Sequence, residues 1–265
     1  MRKSQVAWSS ALLKYIFITG AGQGLGHELA LACARAGHQL ILQGRKDDKL
    51  NALYDAIEAL GTAPLPILLP LDFTKTTQED FSNIVHSLKK EIPRLDAFIH
   101  CAAHLGNVSP IEHQQLAEWA KCWQVNTTAP VFLTRALAPL LHAAQNAKVL
   151  YCLDHHVLEP GPFWGGYQAS KAALYSFSQS LRDEWSETGT QIVCIIPGPI
   201  NSPLRRQTHP GENIDARIPL ADAVARLLQV LEAPAPIKWC DLRRAPATHT
   251  HFHPTASSLP EHHTH

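Results

Sequence analysis

Apolar runs and amphipathic stretches alternate along the chain from Tyr15 to Cys240. Tyr15–Thr19 is a short apolar run ending in glycines, and Gly24–Ala36 is small and apolar at helical spacing, closed by Gly37. Leu40–Leu42 reads as a second strand, and Asp48–Leu60 as a second helix stopped by Gly61. Ile67–Leu71 predicts strand three, Gln78–Lys90 an amphipathic helix and Ala97–His100 strand four. Trp119–Leu141 predicts one or two helices, with Pro130 and Pro139 as starts or kinks. Val149–Leu153 predicts strand five, Tyr167–Trp185 a long helix, and Ile192–Ile196 strand six, ended by Pro197-Gly198. Leu220–Leu231 is the last clear helix, and Ile237–Cys240 reads as a short final strand.

Strands that alternate with helices imply parallel pairing through right-handed crossovers, with helices on both faces. The strands are continuous apolar runs, as parallel strands buried on both faces require. The expected architecture is an α/β doubly wound Rossmann fold with a mostly parallel seven-stranded sheet. Neither an internal repeat nor a linker interrupts it. We assign residues 1–245 to this one domain and residues 246–265 to a tail rich in His, Thr, Ser and Pro, for which disorder is expected.

Composition narrows the function classes. Of 265 residues 45% are apolar and 17% charged, which supplies ample core. Lys+Arg and Asp+Glu number 23 each, and no arginine-rich run occurs, so a nucleic-acid partner is not expected. The six cysteines form no C-x-x-C pair, and several lie in strand-like runs; buried free thiols and a cytoplasmic, reducing compartment follow. Arg2 and Lys3 could open a signal peptide, but Lys14 interrupts the apolar run behind them. No apolar stretch approaches the ~20 residues of a membrane span. His249, His251, His253, His262, His263 and His265 form a loose metal-binding pattern in the tail. A polar disordered tail accounts for them better, and no metal ligand is assigned.

Two motifs carry chemistry. The first strand runs into Thr19-Gly20-Ala21-Gly22-Gln23-Gly24-Leu25-Gly26, a glycine turn at a helix N-terminus. Such a turn lets backbone approach a pyrophosphate, and the helix end offers free N–H groups to it. Tyr167 and Lys171 form a Y-x-x-x-K pair on one helical face, where a cation favours phenolate.

The spacing T-G-x-x-x-G-x-G, the Y-x-x-x-K pair and Ala169-Ser170-Lys171-Ala172-Ala173 resemble the short-chain dehydrogenase/reductase family, from about Tyr15 to Leu242. Pro93–Asp96, His100–Gly106 and Gln124–Leu141 are most similar to its YciK-type bacterial oxidoreductases. The resemblance implies hydride transfer between a nicotinamide and a small-molecule carbonyl or alcohol. In it Tyr167 is the proton donor or acceptor, Lys171 tunes that tyrosine and holds the ribose, and Asn126 orders a water relay. Gly20, Gln23, Gly24, Leu25, Gly26, Asp72, Pro197, Gly198 and Ser202 are the implied cofactor contacts, with Tyr167 and Lys171. Gly44 stands where NAD-preferring members carry Asp, and Arg45-Lys46 follows, so NADP(H) is expected, with NAD(H) as the alternative. A guanidinium can clamp the 2′-phosphate bidentately. Helices near Val131–Leu141 and Leu174–Leu181 are apolar almost all round, and family members pair them; a homodimer or homotetramer is expected.

The chain also departs from the family. The serine that polarises the substrate carbonyl, thirteen residues before the tyrosine, is replaced by Asp154, followed by His155 and His156. An ionised carboxylate donates no hydrogen bond; only a protonated Asp154 or a neighbouring His could take the serine's part. The family's N-A-G after strand four is Cys101-Ala102-Ala103. A degenerate, catalytically weak dinucleotide-binding protein is therefore the alternative to an active enzyme. Arg205 and Arg206, in the loop expected over the cleft, could meet an anionic substrate, though a solvated pair is the simpler expectation.

Overall fold

A computed structural model describes residues 13–243. The tail and the first residues, with the expectations placed on them, lie outside the described residues.

The strands β1 (Tyr15–Thr19), β2 (Gln39–Gly44), β3 (Ile67–Pro70), β4 (Ala97–His100), β5 (Lys148–Cys152), β6 (Gln191–Ile196) and β7 (Trp239–Asp241) form one sheet. Its order is β3-β2-β1-β4-β5-β6-β7, and every ladder is parallel. The order reverses between β1 and β4. Ligands of open α/β sheets bind at such a switch point, beyond the strand C-termini.

Side-chain alternation along each strand fills two cores. Ile16 and Ile18 of β1 point to one face, where α1 (Gly24–Arg35), α2 (Asp47–Leu60) and α8 (Leu220–Glu232) cover them. Phe17 points to the other, under α3 (Gln78–Glu91), α5 (Ala129–His142) and α6 (Gly165–Glu184). Local chemistry sets the helix ends. Gly61 closes α2 at φ 60°, a left-handed position that glycine adopts without strain. Thr77 and Asp80 form a reciprocal capping box at the start of α3.

The segment expected as one or two helices runs from α4 (Leu116–Trp123) through a π-helical turn (Gln124–Thr128) directly into α5. The interruption lies at this turn rather than at either proline. Pro130 lies in the first turn of α5 and lacks an N–H, so the Asn126 carbonyl loses its usual i+4 donor. The chain here closes an i+5 bond instead, from the Ala129 N–H to the Gln124 carbonyl. Pro139 is carried inside α5 without ending it. A further short helix, α7 (Pro203–Thr208), occupies the loop after β6. No helix among the described residues is long and apolar enough to cross a membrane.

Candidate active site

A cavity of about 660 Å³ opens at the switch point, lined from the glycine turn at one end to Tyr167 and Lys171 at the other. The turn needs its glycines. A Cβ on Gly26 would lie 2.5 Å from the Gly20 carbonyl oxygen, and one on Gly20 would lie 2.8 Å from the Ala102 backbone. Gln23, at the N-cap of α1, makes no side-chain cap bond; its oxygen accepts instead from Lys49 Nζ at 2.6 Å. The first N–H groups of α1 are thus left for an anion in the cavity. Gly20, Gln23, Gly24, Leu25 and Gly26 all line it.

Sequence reasoning passed over Gln43, which holds this turn. Its side chain accepts from the Gly20 N–H at 3.1 Å and donates to the Leu71 carbonyl at 2.6 Å. A polar residue inside the apolar run of β2 was the available signal. Beyond it, Arg45, Lys46 and Lys49 also line the cavity. A Cβ on Gly44 would come within 3.1 Å of the Leu50 side chain, so an acidic residue there would need Leu50 to move. Asp72 is not among the cavity-lining residues. Its carboxylate accepts from the Thr74 N–H at 3.0 Å and hydroxyl at 2.9 Å. Burial pushes that carboxyl up, but the Thr74 bonds and the Arg45 charge outweigh it and leave the pKa lowered.

At the other end, Tyr167 and Lys171 are buried on one face of α6. Lys171 Nζ donates to the Cys152 carbonyl at 2.8 Å and lies 6.0 Å from the Tyr167 ring centroid. The Tyr167 hydroxyl donates to Asp154 Oδ2 at 3.2 Å. Asp154 Oδ1 accepts from the His156 N–H at 3.1 Å and lies 2.7 Å from His156 Nδ1 and 3.0 Å from His155 Nδ1. Burial raises the Asp154 pKa, but the His155 and His156 hydrogen bonds overcome it and hold the carboxyl well below the usual range. These bonds favour the ionised carboxylate, which accepts hydrogen bonds and does not offer the serine's donor. Tyr167 shifts the opposite way: burial first, then the Asp154 charge, push the phenol well above its ordinary value. Burial lowers the Lys171 pKa.

Asn126 sits in the π-helical turn, fully buried. Its amide donates to the His104 carbonyl and the Ser170 hydroxyl, both at 2.9 Å, and its oxygen accepts from the His104 N–H at 2.8 Å. The side chain thus ties the loop after β4 to α6. Pro197, Gly198 and Ser202 line the same cavity. Ser202 also caps α7, accepting from the Arg205 N–H at 3.2 Å. Arg205 is not a solvated cation: it pairs with Glu212, which also holds the buried Arg217. Arg206 reaches Asn201 at 3.4 Å. Where the family has asparagine, Cys101 Sγ lies 3.6 Å from Cys152 Sγ.

A doubly wound sheet with a glycine turn at its switch point and a tyrosine–lysine pair across the cleft defines an oxidoreductase of the dinucleotide-binding type. The short chain dehydrogenase family model matches residues 14–213, and the chain belongs to that family. It is 33% identical over 201 residues to the uncharacterized oxidoreductase YciK of Escherichia coli strain K12, covering 76% of this chain and 79% of that one. A short chain dehydrogenase of Shigella flexneri 2a strain 301, solved with NADP, superposes with a TM-score of 0.84 at 30% identity. That match covers 89% of this chain and 100% of the other. One of Escherichia coli CFT073, solved with NADPH, gives 0.82 at 30% identity over 88% and 98%.

Proposed function

We propose that the protein is an NADP(H)-dependent oxidoreductase acting on a small carbonyl or alcohol. The observation that carries this reading is the single cavity shared by the uncapped start of α1, Arg45 and Lys46, and the Tyr167–Lys171 pair. The Gly20–Gly26 turn fits a pyrophosphate, since the cradle is one that side chains would fill. Arg45 and Lys46 suit a 2′-phosphate, and two similar structures were solved with NADP and NADPH.

The bound dinucleotide would supply or receive the hydride. Tyr167 would give its hydroxyl proton to the carbonyl oxygen, or take one from the alcohol in reverse. Lys171, held by the Cys152 carbonyl, places a cation behind that phenol and within reach of a ribose. The Asn126 side chain is committed to His104 and Ser170, so a water it orders would be held by its main-chain carbonyl, freed by Pro130. The test is calorimetry with NADPH and NADH, followed by a carbonyl and alcohol panel. Equal affinity for the two cofactors removes the NADP assignment.

One observation favours a weaker enzyme. The Tyr167 proton is engaged by an ionised Asp154, where the family places a hydroxyl donor. A protein that binds NADPH and turns over nothing in the panel fits this second reading. We further propose a homodimer or homotetramer. Val131, Phe132 and Ala136 of α5 are only partly covered within the chain, which suits an interface. A monomer by light scattering at micromolar concentration would remove that claim. The six free cysteines suit a reducing, cytoplasmic setting.

A further inference from the structure

After β5 the chain turns through three consecutive residues able to ligate a metal. Asp154 caps a short 3₁₀ turn, His155–Val157, and its side chain accepts from the His156 N–H. The cap brings both imidazoles onto the carboxylate. One ligand atom from each of Asp154, His155 and His156 lies within 4.8 Å of the other two. Among the described residues this is the one such group. The Nδ1 atoms of His155 and His156 stand 3.0 and 2.7 Å from Asp154 Oδ1.

We propose that Asp154, His155 and His156 bind one divalent transition-metal ion, of the zinc or cobalt kind, on the wall of the catalytic cavity. Two imidazoles and a carboxylate are the donor set these ions favour. Ligands about 2.0–2.2 Å from a tetrahedral ion stand roughly 3.3 Å from each other. The two carboxylate–imidazole spacings therefore need to open only by roughly 0.3 to 0.6 Å. The cluster is already oriented. The His155 and His156 rings lie 3.9 Å apart, and His156 packs on Trp164 at 4.0 Å. Tyr167 donates to the second carboxylate oxygen, as the outer partners of ligating carboxylates do. Three protein ligands leave a fourth position, which marks catalytic rather than structural zinc sites. All three residues line the cavity, so that position has access to a small molecule.

Binding of the ion does not depend on the oxidoreductase reading. Its use does: an ion here would neutralise the carboxylate beside Tyr167 and stand as a Lewis acid where the family has its hydroxyl donor.

The test is zinc binding by the full-length protein after chelator stripping, measured by competition with a chromophoric chelator. Wild type is compared with Asp154→Asn and His155→Ala. The tail histidines are the same in all three chains, so the difference isolates this cluster. The expected result is one zinc equivalent per chain that weakens more than about 100-fold in each variant. Circular dichroism and thermal unfolding report whether each variant is folded, and either folded variant decides the question. Cobalt titration of the wild type should give the intense visible absorption of a low-coordinate site. Equal zinc stoichiometry and affinity in wild type and a folded variant overturns the proposal. So does a wild type with only weak cobalt absorption. Neither outcome touches the cofactor assignment, which is read from NADPH binding alone.

Discussion

Tyr167 and Asp154 meet in the wall of the cavity, phenol proton to carboxylate oxygen at 3.2 Å. The pair pulls against the arrangement a carbonyl reductase needs. The carboxylate accepts the phenol proton that, on the proposed function, a substrate oxygen would accept, and burial together with the carboxylate's charge raises the phenol pKa. The His155 and His156 contacts favour the ionised carboxylate, so the conflict is built into the turn after β5.

Without bound metal, Asp154→Ser should therefore raise turnover on a carbonyl substrate. Restoring one donor to a developing alkoxide is worth on the order of 10²–10³ in rate. NADPH affinity should change little, because Asp154 lies at the catalytic end of the cavity. The pH profile should move too. Removing a negative neighbour lowers the Tyr167 pKa, so the tyrosine-dependent limb shifts to lower pH in the variant. Steady-state kinetics over a pH series would check both. A fast wild type slowed by the substitution would show instead that Asp154 is a working catalytic group.

The cofactor assignment rests on Arg45 and Lys46 at the end of β2. Arg45→Ala should weaken NADPH binding roughly tenfold, the value of one charge-assisted contact, and leave NADH binding nearly unchanged. The wild-type preference for NADPH should also shrink as ionic strength rises, since both side chains are exposed. Calorimetry at two salt concentrations measures the effect. Parallel losses for both dinucleotides would place Arg45 elsewhere than at the 2′-phosphate.

Much of this site was legible because its signals are local. Gly20, Gly24 and Gly26 are readable at the end of an apolar run, and Tyr167 and Lys171 are fixed by helical spacing. Ser202-Pro203 also carried a readable helix start, a capping hydroxyl followed by proline, yet α7 is too short to show an apolar period. Pro130 and Pro139 are legible as helix starts or kinks, but the π-helical interruption at Gln124–Thr128 is not. The π-helical turn depends on which carbonyl lacks a donor, a property of neighbouring turns rather than of any one residue. Long-range bonds were least legible. A polar Gln43 inside the apolar run of β2 marks a buried polar role but not its partners Gly20 and Leu71, and the sequence does not single out Glu212 as the partner of Arg205.

Gly26 gives a sharp test of the turn. A methyl group there would sit 2.5 Å from the Gly20 carbonyl oxygen, a backbone atom that cannot rotate aside. Gly26→Ala should force α1 away from the turn and destabilise the fold by about 1–3 kcal/mol, as overpacking does. NADPH affinity should fall more steeply than stability, because the displaced N–H groups are the expected phosphate donors. Thermal unfolding with and without NADPH separates the two effects. A variant with wild-type Tm and wild-type NADPH affinity would contradict the close approach.

Lys148 opens β5 although it is charged, and it is almost fully buried. Its ammonium donates to the carbonyls of Val230, Leu231 and Ala233 at 2.7, 3.3 and 2.6 Å, closing the C-terminus of α8 onto the sheet. Lys148→Met keeps the stem and removes the donors, leaving last-turn carbonyls unpaired. It should destabilise the protein by about 2–3 kcal/mol at neutral pH. Burial pushes the Lys148 pKa down to about 8, below the ~10.4 of an unfolded lysine. Between those values the unfolded chain binds more protons than the folded one, so this group's contribution to stability rises with pH. It is lost as pH falls through about 8. The stability gap between wild type and Lys148→Met, measured by denaturant unfolding at pH 7 and again near pH 9.5, should therefore widen at the higher pH. A gap that narrows would mean that Lys148 keeps an ordinary or raised pKa in the folded chain, with the three carbonyls stabilising the ammonium more than burial disfavours it.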